Sequence, residues 1–196
     1  MQEILIYIEE GYADWEIAHL GYQIKSTNKY DVKTLSKTKD SLFSMSHLYV
    51  TPDYDVNDIH KSDISKYKML VLCGGMFWSQ AQFVNEDVRK LVDLFIMNKL
   101  PVAAICDATT FLAFNGYLEN VEHTGNTIHH IIQSCPNYQG HKYYVNRQCV
   151  SGEQFITANG TSVLEFARDI LKRLSVKPDK EIEAWYQFRK KGIYSE

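Results

Sequence analysis

Short, almost entirely apolar segments alternate with helical segments along this chain, and this alternation restricts the fold more than any other feature. The most apolar strand-like runs are residues 3–8, 68–73 and 101–105. Apolar side chains recur at helical spacing over residues 14–27, 85–98 and 161–174. Strands that are apolar on both sides need cover on both faces. The pattern therefore predicts an α/β fold, with a mostly parallel sheet between layers of helices.

The length and composition suit one globular domain, expected over residues 1–196. The net charge is -3 with both signs well mixed, so neither nucleic acid nor an anionic membrane is an expected partner. No apolar run is long enough to span a membrane, and the first residues resemble a strand rather than a signal peptide, which predicts a cytoplasmic protein. Four cysteines without CxxC spacing indicate reduced thiols, with no metal site and no cofactor expected.

Three strand ends are candidate positions for chemistry, because ligands of open α/β sheets bind beyond the carboxyl ends of the strands. One of them carries Cys106, which ends an apolar run and is followed at once by Asp107 and a predicted short helix. Such a turn exposes its side chain as a nucleophile elbow does, and the helix N-terminus favours the thiolate. The charge of Asp107 opposes that effect. The alternative is that Cys106 is a small buried residue without a chemical role.

The other two strand ends carry Glu16 and the pair Gly74 and Gly75. The glycines can direct backbone N–H groups into a cavity and form an oxyanion hole, or they can form an ordinary tight turn. Glu16 lies in the first turn of the first predicted helix. Its carboxyl, if burial keeps it protonated, can hydrogen-bond a thiolate. The alternative is a glutamate that faces water and interacts with the helix dipole.

A cysteine nucleophile usually works with a neighbouring base, and His123 is the best-placed histidine by sequence, 17 residues after Cys106. His129 and His130 are adjacent on a predicted helix. Their side chains therefore point in different directions, and a paired metal site is not expected. The pocket is expected to be lined by Asn126 and by four apolar side chains near the strand ends, Trp15, Met76, Phe77 and Trp78.

Motifs at these strand ends occur in a characteristic order. They are Tyr12-Ala13-Asp14-Trp15-Glu16, Leu72-Cys73-Gly74-Gly75 and Ala104-Ile105-Cys106-Asp107-Ala108. Two later segments follow, Leu118-Glu119-Asn120 with His123-Thr124, and Ile156-Thr157-Ala158-Asn159-Gly160-Thr161 with Glu165-Phe166-Ala167. Together they resemble the ThiJ/PfpI family of the class I glutamine amidotransferase-like superfamily, over roughly residues 3–174. Each motif is weak alone, but their joint order is specific.

The resemblance implies a flavodoxin-like three-layer sandwich that forms a homodimer. It also implies a nucleophilic Cys106, an acid partner at Glu16, and backbone donors around Gly75 and Asp107. Two positions depart from the family's pattern. Many members have a histidine where this chain has Asn126, 20 residues after the cysteine. The protease-like branch often has a histidine directly after the cysteine, where this chain has Asp107. These departures weaken the expectation of a Cys–His dyad and of peptidase activity.

The resemblance does not fix an activity. The first hypothesis is a cysteine-dependent hydrolase or lyase whose partner is a small electrophilic substrate, such as an amide, a peptide or an α-oxoaldehyde. Cys106 would attack the carbonyl carbon, backbone N–H groups would hold the oxyanion, and Glu16, with His123 or Asn126 in the histidine position, would complete the site. Two alternatives remain open. One is a redox or stress sensor in which Cys106 oxidises to a sulfinate. The other is an inactive interaction module.

Overall fold

A seven-stranded sheet forms the centre of the computed structural model, which describes residues 1–192 and 194, and of Lys61 only the backbone. The strands are β1 (Glu3–Tyr7), β2 (Asp31–Ser36), β3 (Leu42–Phe43), β4 (Tyr49–Val50), β5 (Tyr54–Asp55), β6 (Tyr67–Leu72), β7 (Val102–Ile105), β8 (Cys149–Ser151) and β9 (Phe155–Ala158). The sheet order is β5-β2-β1-β6-β7-β9-β8, and its neighbours are parallel except for β8 with β9. The strands β3 and β4 form a separate hairpin.

Helices cover both faces of the sheet, which confirms the predicted α/β fold with a mostly parallel sheet and the flavodoxin-like sandwich. The helices are α1 (Trp15–Lys25), α2 (Val56–Lys61), α3 (Phe77–Gln80), α4 (Glu86–Met97), α5 (Asp107–Phe114), α6 (Ile128–Ser134), α7 (Val163–Arg173) and α8 (Asp179–Lys191). α7 packs against α1 and α8, while α5 packs against α3 and α6. Within the part of the chain that the structure describes, no helix is both long and apolar enough to cross a membrane.

The three central strands β1, β6 and β7 form the middle of the core because both of their faces lie under helices. Nearly all of their side chains are buried. Their registers align the carboxyl ends, since Tyr7 pairs with Leu72 and Leu72 pairs with Ala104. The segments that follow these three strands therefore meet at one edge of the sheet. These are the segments that the sequence singled out for chemistry.

Candidate functional site

Cys106 stands on a sharp turn between β7 and α5. Its backbone has φ 58° and ψ -133°, a conformation that non-glycine residues rarely adopt and that costs about 1–3 kcal/mol. The Cys106 N–H donates to Ala158 O (3.0 Å), and its carbonyl oxygen accepts from the N–H (3.0 Å) and hydroxyl (2.6 Å) of Thr109. The neighbouring strand β9 and the first turn of α5 thus hold the turn in place. The half-buried side chain is displayed as in a nucleophile elbow.

Glu16 points from α1 into the site and is only 2% exposed. Its Oε2 accepts a hydrogen bond from the Gly74 N–H (2.8 Å), and its carboxyl lies beside the Cys106 side chain, close enough for the two groups to shift each other's pKa. A Cβ at position 74 would overlap Glu16 Oε2 and lie 2.6 Å from Cys106 Cβ. Glycine at this position therefore lets the carboxyl and the cysteine approach each other. Glu16 takes the position expected of an acid partner and does not face water.

The backbone groups proposed for an oxyanion hole are partly committed to other contacts. The Gly74 N–H is bound by Glu16, which corrects its assignment as a free donor. The Asp107 N–H lies near the Cys106 sulfur and lowers the pKa of the thiol, so it favours the thiolate before any substrate enters. Gly75 lines the cavity at a φ of 154°, where an added Cβ would lie 2.7 Å from the Phe77 ring. Only glycine suits this close approach of the backbone.

Asn126 lies in the position where the family's pattern places a histidine. Its Nδ2 donates to Cys106 Sγ (3.4 Å) and to Asp107 Oδ1 (3.3 Å). Its Oδ1 accepts from the Gly160 N–H (2.9 Å), which fixes the orientation of the amide. An added Cβ at Gly160 would lie 3.0 Å from the same sulfur. An amide that donates to sulfur but carries no charge therefore stands where an imidazole was expected.

His123 does not take part in this cluster, contrary to the sequence-based expectation. It is fully buried, with Nδ1 bonded to Val121 O (2.7 Å) and Nε2 bonded to the Tyr138 hydroxyl (2.5 Å). The segment is fixed by a bridge to the chain at Tyr144. Burial lowers the pKa of His123, so the neutral imidazole is favoured. Because both ring nitrogens are committed elsewhere, this side chain is a packed core histidine.

His130 approaches the site instead, and the sequence analysis did not single it out. Its Nε2 lies 2.8 Å from Asp107 Oδ1, the atom that also accepts from Asn126. The Thr127 hydroxyl caps α6 by accepting from the His130 N–H (3.0 Å), which sets the first turn of the helix. A threonine three residues before the histidine is an N-cap signal. Together with Asn126 just before the cap, it could have indicated which histidine faces the cysteine.

The cavity beside Cys106 has a volume of about 140 Å³. Its lining residues are Ala13, Trp15, Glu16, Met45, Gly75, Met76, Cys106 and Asp107. Trp15 and Met76 thus lie where the sequence analysis placed them. Met45 was missed because it comes from the β3–β4 hairpin, which reaches the site through the bond of the Met45 N–H to Tyr12 O (2.8 Å).

Phe77 and Trp78 are core residues, which corrects their assignment to the pocket lining. They are 7% and 1% exposed. The Trp78 ring packs against Phe111 with centroids 4.6 Å apart, and its Nε1 donates to Cys73 O (2.9 Å). The short helix α3 begins at Phe77 and turns both rings inward, leaving the preceding Met76 at the surface. The mouth of the cavity is therefore less aromatic than expected.

The carboxyl and the thiol in this site both have raised pKa values. Burial raises the pKa of Glu16 to about 7. Burial and the Glu16 charge raise the pKa of Cys106 to about 11, although the donors from Asn126 and the Asp107 backbone act in the opposite direction. Desolvation and the Glu16 charge thus disfavour the thiolate, which the sequence analysis expected the helix N-terminus to favour. The two groups titrate as a pair that gains its first negative charge near neutral pH.

The mostly parallel α/β sheet and the strained cysteine turn together define a class of proteins with a cysteine on a nucleophile elbow. Residues 2–173 match the DJ-1/PfpI family, and the chain belongs to this family. The resemblance stated from the motifs is thereby confirmed.

Known proteins similar to this chain cover almost all of its length. An uncharacterised protease of Bacillus subtilis, YoaZ, is 28% identical over an alignment of 196 positions that covers 96% of this chain and 91% of the relative. The crystal structure of a DJ-1 superfamily protein of Agrobacterium tumefaciens superposes with a TM-score of 0.85 at 30% identity, covering 97% of this chain and 99% of the other. A ThiJ/PfpI family protein of Bacillus anthracis gives the same score and identity, over 98% and 93% of the two chains.

Proposed function

We propose that this protein is a cysteine-dependent hydrolase or lyase that acts on a small carbonyl compound, with an α-oxoaldehyde as the favoured substrate class. The contact between the Cys106 thiol and the Glu16 carboxylate carries this proposal. A carboxyl with a pKa of about 7 exists in both protonation states at neutral pH, so it is suited to take a proton and to return it. A thiol with a raised pKa needs such a base when it attacks.

The reaction begins when Cys106 Sγ adds to the aldehyde carbon. The thiol proton passes to the Glu16 carboxylate and from there to the carbonyl oxygen, which gives a hemithioacetal. Glu16 then carries the proton from C1 to C2, while the proton on the C1 oxygen moves to the C2 oxygen, and the product is a thioester. Water hydrolyses the thioester to a 2-hydroxy acid and restores the thiol. One water molecule is added overall, and no redox partner is needed.

The size of the cavity favours a small substrate over a peptide. Its volume of about 140 Å³ suits a molecule of a few heavy atoms, whereas pockets for drug-sized ligands are about 300–1,000 Å³. The residue directly after the cysteine is Asp107. It therefore does not provide the imidazole base of a Cys–His dyad. The relatives named as proteases in Bacillus subtilis keep peptide cleavage as a second outcome of the test.

A redox or stress sensor is the second candidate function, and the donors around the sulfur favour it. Asn126 and the Asp107 N–H point at Cys106 Sγ, and a protonated Glu16 would add a third donor to the oxygens of a sulfinate. The raised pKa of Cys106 argues against rapid oxidation, because the thiolate is the form that reacts with peroxide. Enzymatic turnover is therefore the better-supported function.

Methylglyoxal and a chromogenic peptide are suitable substrates for testing the proposal on the wild-type protein. We expect turnover of methylglyoxal to a 2-hydroxy acid, with loss of activity in Cys106→Ser and in Glu16→Gln. The matched controls are Cys149→Ser, which alters another partly buried thiol on the edge strand β8, and Glu122→Gln, which alters an exposed carboxyl. Both controls should retain wild-type turnover.

Three other results would decide against the proposal as stated. Cleavage of the peptide without turnover of methylglyoxal would indicate that the substrate is an amide and not an α-oxoaldehyde. Wild-type turnover in Cys106→Ser would exclude cysteine chemistry. Absence of turnover, combined with a gain of two oxygen atoms at Cys106 after mild peroxide treatment, detected by mass spectrometry, would favour the sensor.

A further inference from the structure

We propose that His130 is a positioning residue for the Cys106 thiol and that it acts through Asp107 and Asn126. The inference deepens the proposed function, since it names a residue that prepares the same cysteine for attack. Its effect on turnover rests on that function. The effect of His130 on the reactivity of the thiol is independent of the proposed function, because alkylation of Cys106 can be measured without a substrate.

One carboxylate oxygen links the histidine to the site. Asp107 Oδ1 lies 2.8 Å from His130 Nε2 and 3.3 Å from Asn126 Nδ2. The same Nδ2 lies 3.4 Å from Cys106 Sγ. The two N–H groups of one amide are thus directed to the carboxylate and to the sulfur. The histidine holds the carboxylate, and the carboxylate holds the amide that donates to sulfur.

Charge gives His130 a second route to the thiol. The negative charge of Asp107 raises the pKa of both Cys106 and Glu16, which disfavours the thiolate. A hydrogen-bond donor to Asp107 Oδ1 partly neutralises the negative charge that Asp107 presents to the sulfur. Loss of the imidazole leaves the carboxylate less compensated beside the nucleophile. The same loss leaves Asp107 free to turn away from Asn126, so both effects reduce the reactivity of Cys106.

The contact has features that a solvated surface ion pair lacks. The Asp107 side chain is only 16% exposed and lines the cavity, and that of His130 is 37% exposed. The ring of His130 lies edge-on to the buried Phe83, with centroids 6.4 Å apart, and Thr127 caps its helix. The imidazole is therefore fixed from two sides. An exposed pair without such supports contributes little, since both partners are hydrated and mobile.

The rate of Cys106 alkylation by iodoacetamide near neutral pH tests this inference in the full-length protein. We expect His130→Ala to slow alkylation about tenfold, which corresponds to about one pKa unit of the thiol. His130→Gln restores an N–H donor toward Asp107 and should recover most of the rate. His129→Ala removes the adjacent exposed histidine of the same helix and should have no effect.

A double-mutant cycle separates a role through Asp107 from a general loss of packing. In the Asp107→Ala background, His130→Ala should change the alkylation rate by less than about twofold, because the side chain that links the two residues is gone. His130→Phe keeps the ring contact with Phe83 but has no donor. Alkylation of His130→Phe should be as slow as that of His130→Ala. The phenylalanine variant also tests the role of the N–H donor if the alanine variant does not fold.

Several results would overturn the positioning role. They are wild-type alkylation in both His130→Ala and His130→Phe, no rescue by His130→Gln, and an equally large effect of His130→Ala in the Asp107→Ala background. For turnover we expect a lower kcat with little change in KM. If the wild-type protein turns over no carbonyl compound, the proposed function fails, while the alkylation rates still decide the role of His130. Turnover combined with alkylation that is insensitive to His130 would refute this inference alone.

Discussion

Replacing Glu16 by glutamine is expected to stabilise the protein at pH 8 while it removes the proposed proton carrier. Glutamine is neutral at every pH and keeps a side-chain oxygen that can accept from the Gly74 N–H, as Glu16 Oε2 does at 2.8 Å. The side chain is 2% exposed, so an ionised carboxylate there has lost nearly all of its hydration. Under the proposed function, the buried carboxyl that would transfer the proton lowers the stability of the protein, and the substitution isolates that cost.

The size of the effect follows from the raised pKa. Burial moves the pKa of Glu16 from 4.5 to about 7. Between these values the folded protein holds a proton that the unfolded chain has lost, so the free energy of unfolding falls as the pH rises. The interval is about 2.5 pH units at about 1.36 kcal/mol each, so the wild-type protein loses about 3 kcal/mol. The loss begins near pH 4.5 and is complete just above pH 7.

Urea denaturation of both proteins between about pH 4 and pH 8 measures this difference. We expect the stability of Glu16→Gln relative to wild type to increase by about 3 kcal/mol across the range. Contributions from other groups, such as the buried His123, occur in both proteins and cancel. Below pH 8 the Cys106 thiol, with a pKa of about 11, stays protonated. The exposed Glu122→Gln should show no such trend, and a constant Glu16→Gln difference would refute the reasoning.

Two further substitutions test the geometry of the site. Gly74→Ala places a Cβ against Glu16 Oε2 and should destabilise the protein by about 1–3 kcal/mol in urea and slow alkylation of the site cysteine. Gly21→Ala is the control: it has open space around it and should stabilise α1 by about 0.5–1 kcal/mol. Wild-type stability in Gly74→Ala would contradict the close approach of Glu16 to the backbone at position 74. His123→Phe should cost about 1–3 kcal/mol by leaving the Tyr138 hydroxyl without its partner, yet alkylation should be unchanged. Slower alkylation in this variant would show that His123 influences the reactivity of the site cysteine.

The layered fold could be predicted from the sequence because its signal is repeated along the whole chain. Strands β1, β6 and β7 are apolar on both sides, and that pattern has few explanations other than a covered parallel sheet. Their ends had to meet at one edge of the sheet. The positions of Cys106 and Glu16 followed from this topology, together with the family order of the motifs.

The directions of single side chains at the site could not be predicted in this way. Met76 and Trp78 are two residues apart, yet one is at the surface and the other is in the core, because a short helix begins between them. Apart from the N-cap signal of Thr127, only their tertiary partners, Tyr138 and Asp107, distinguish His123 from His130. Sequence distance from the cysteine favoured the wrong histidine. Burial also reversed the expected pKa shift of the thiol, and burial depends on elements far apart in the chain.

With an amide in the position where the family's pattern places an imidazole, the proposed proton transfer depends on one carboxyl. Asn126 donates to Cys106 Sγ but cannot take up or release a proton near neutral pH. Asp107 is occupied by Asn126 and His130. Glu16 remains, with a pKa of about 7 and a direct contact with the thiol. In the proposed reaction, a base that works at neutral pH therefore complements a cysteine that stays protonated until it attacks. The thiol would lose its proton to Glu16 as the bond to carbon forms.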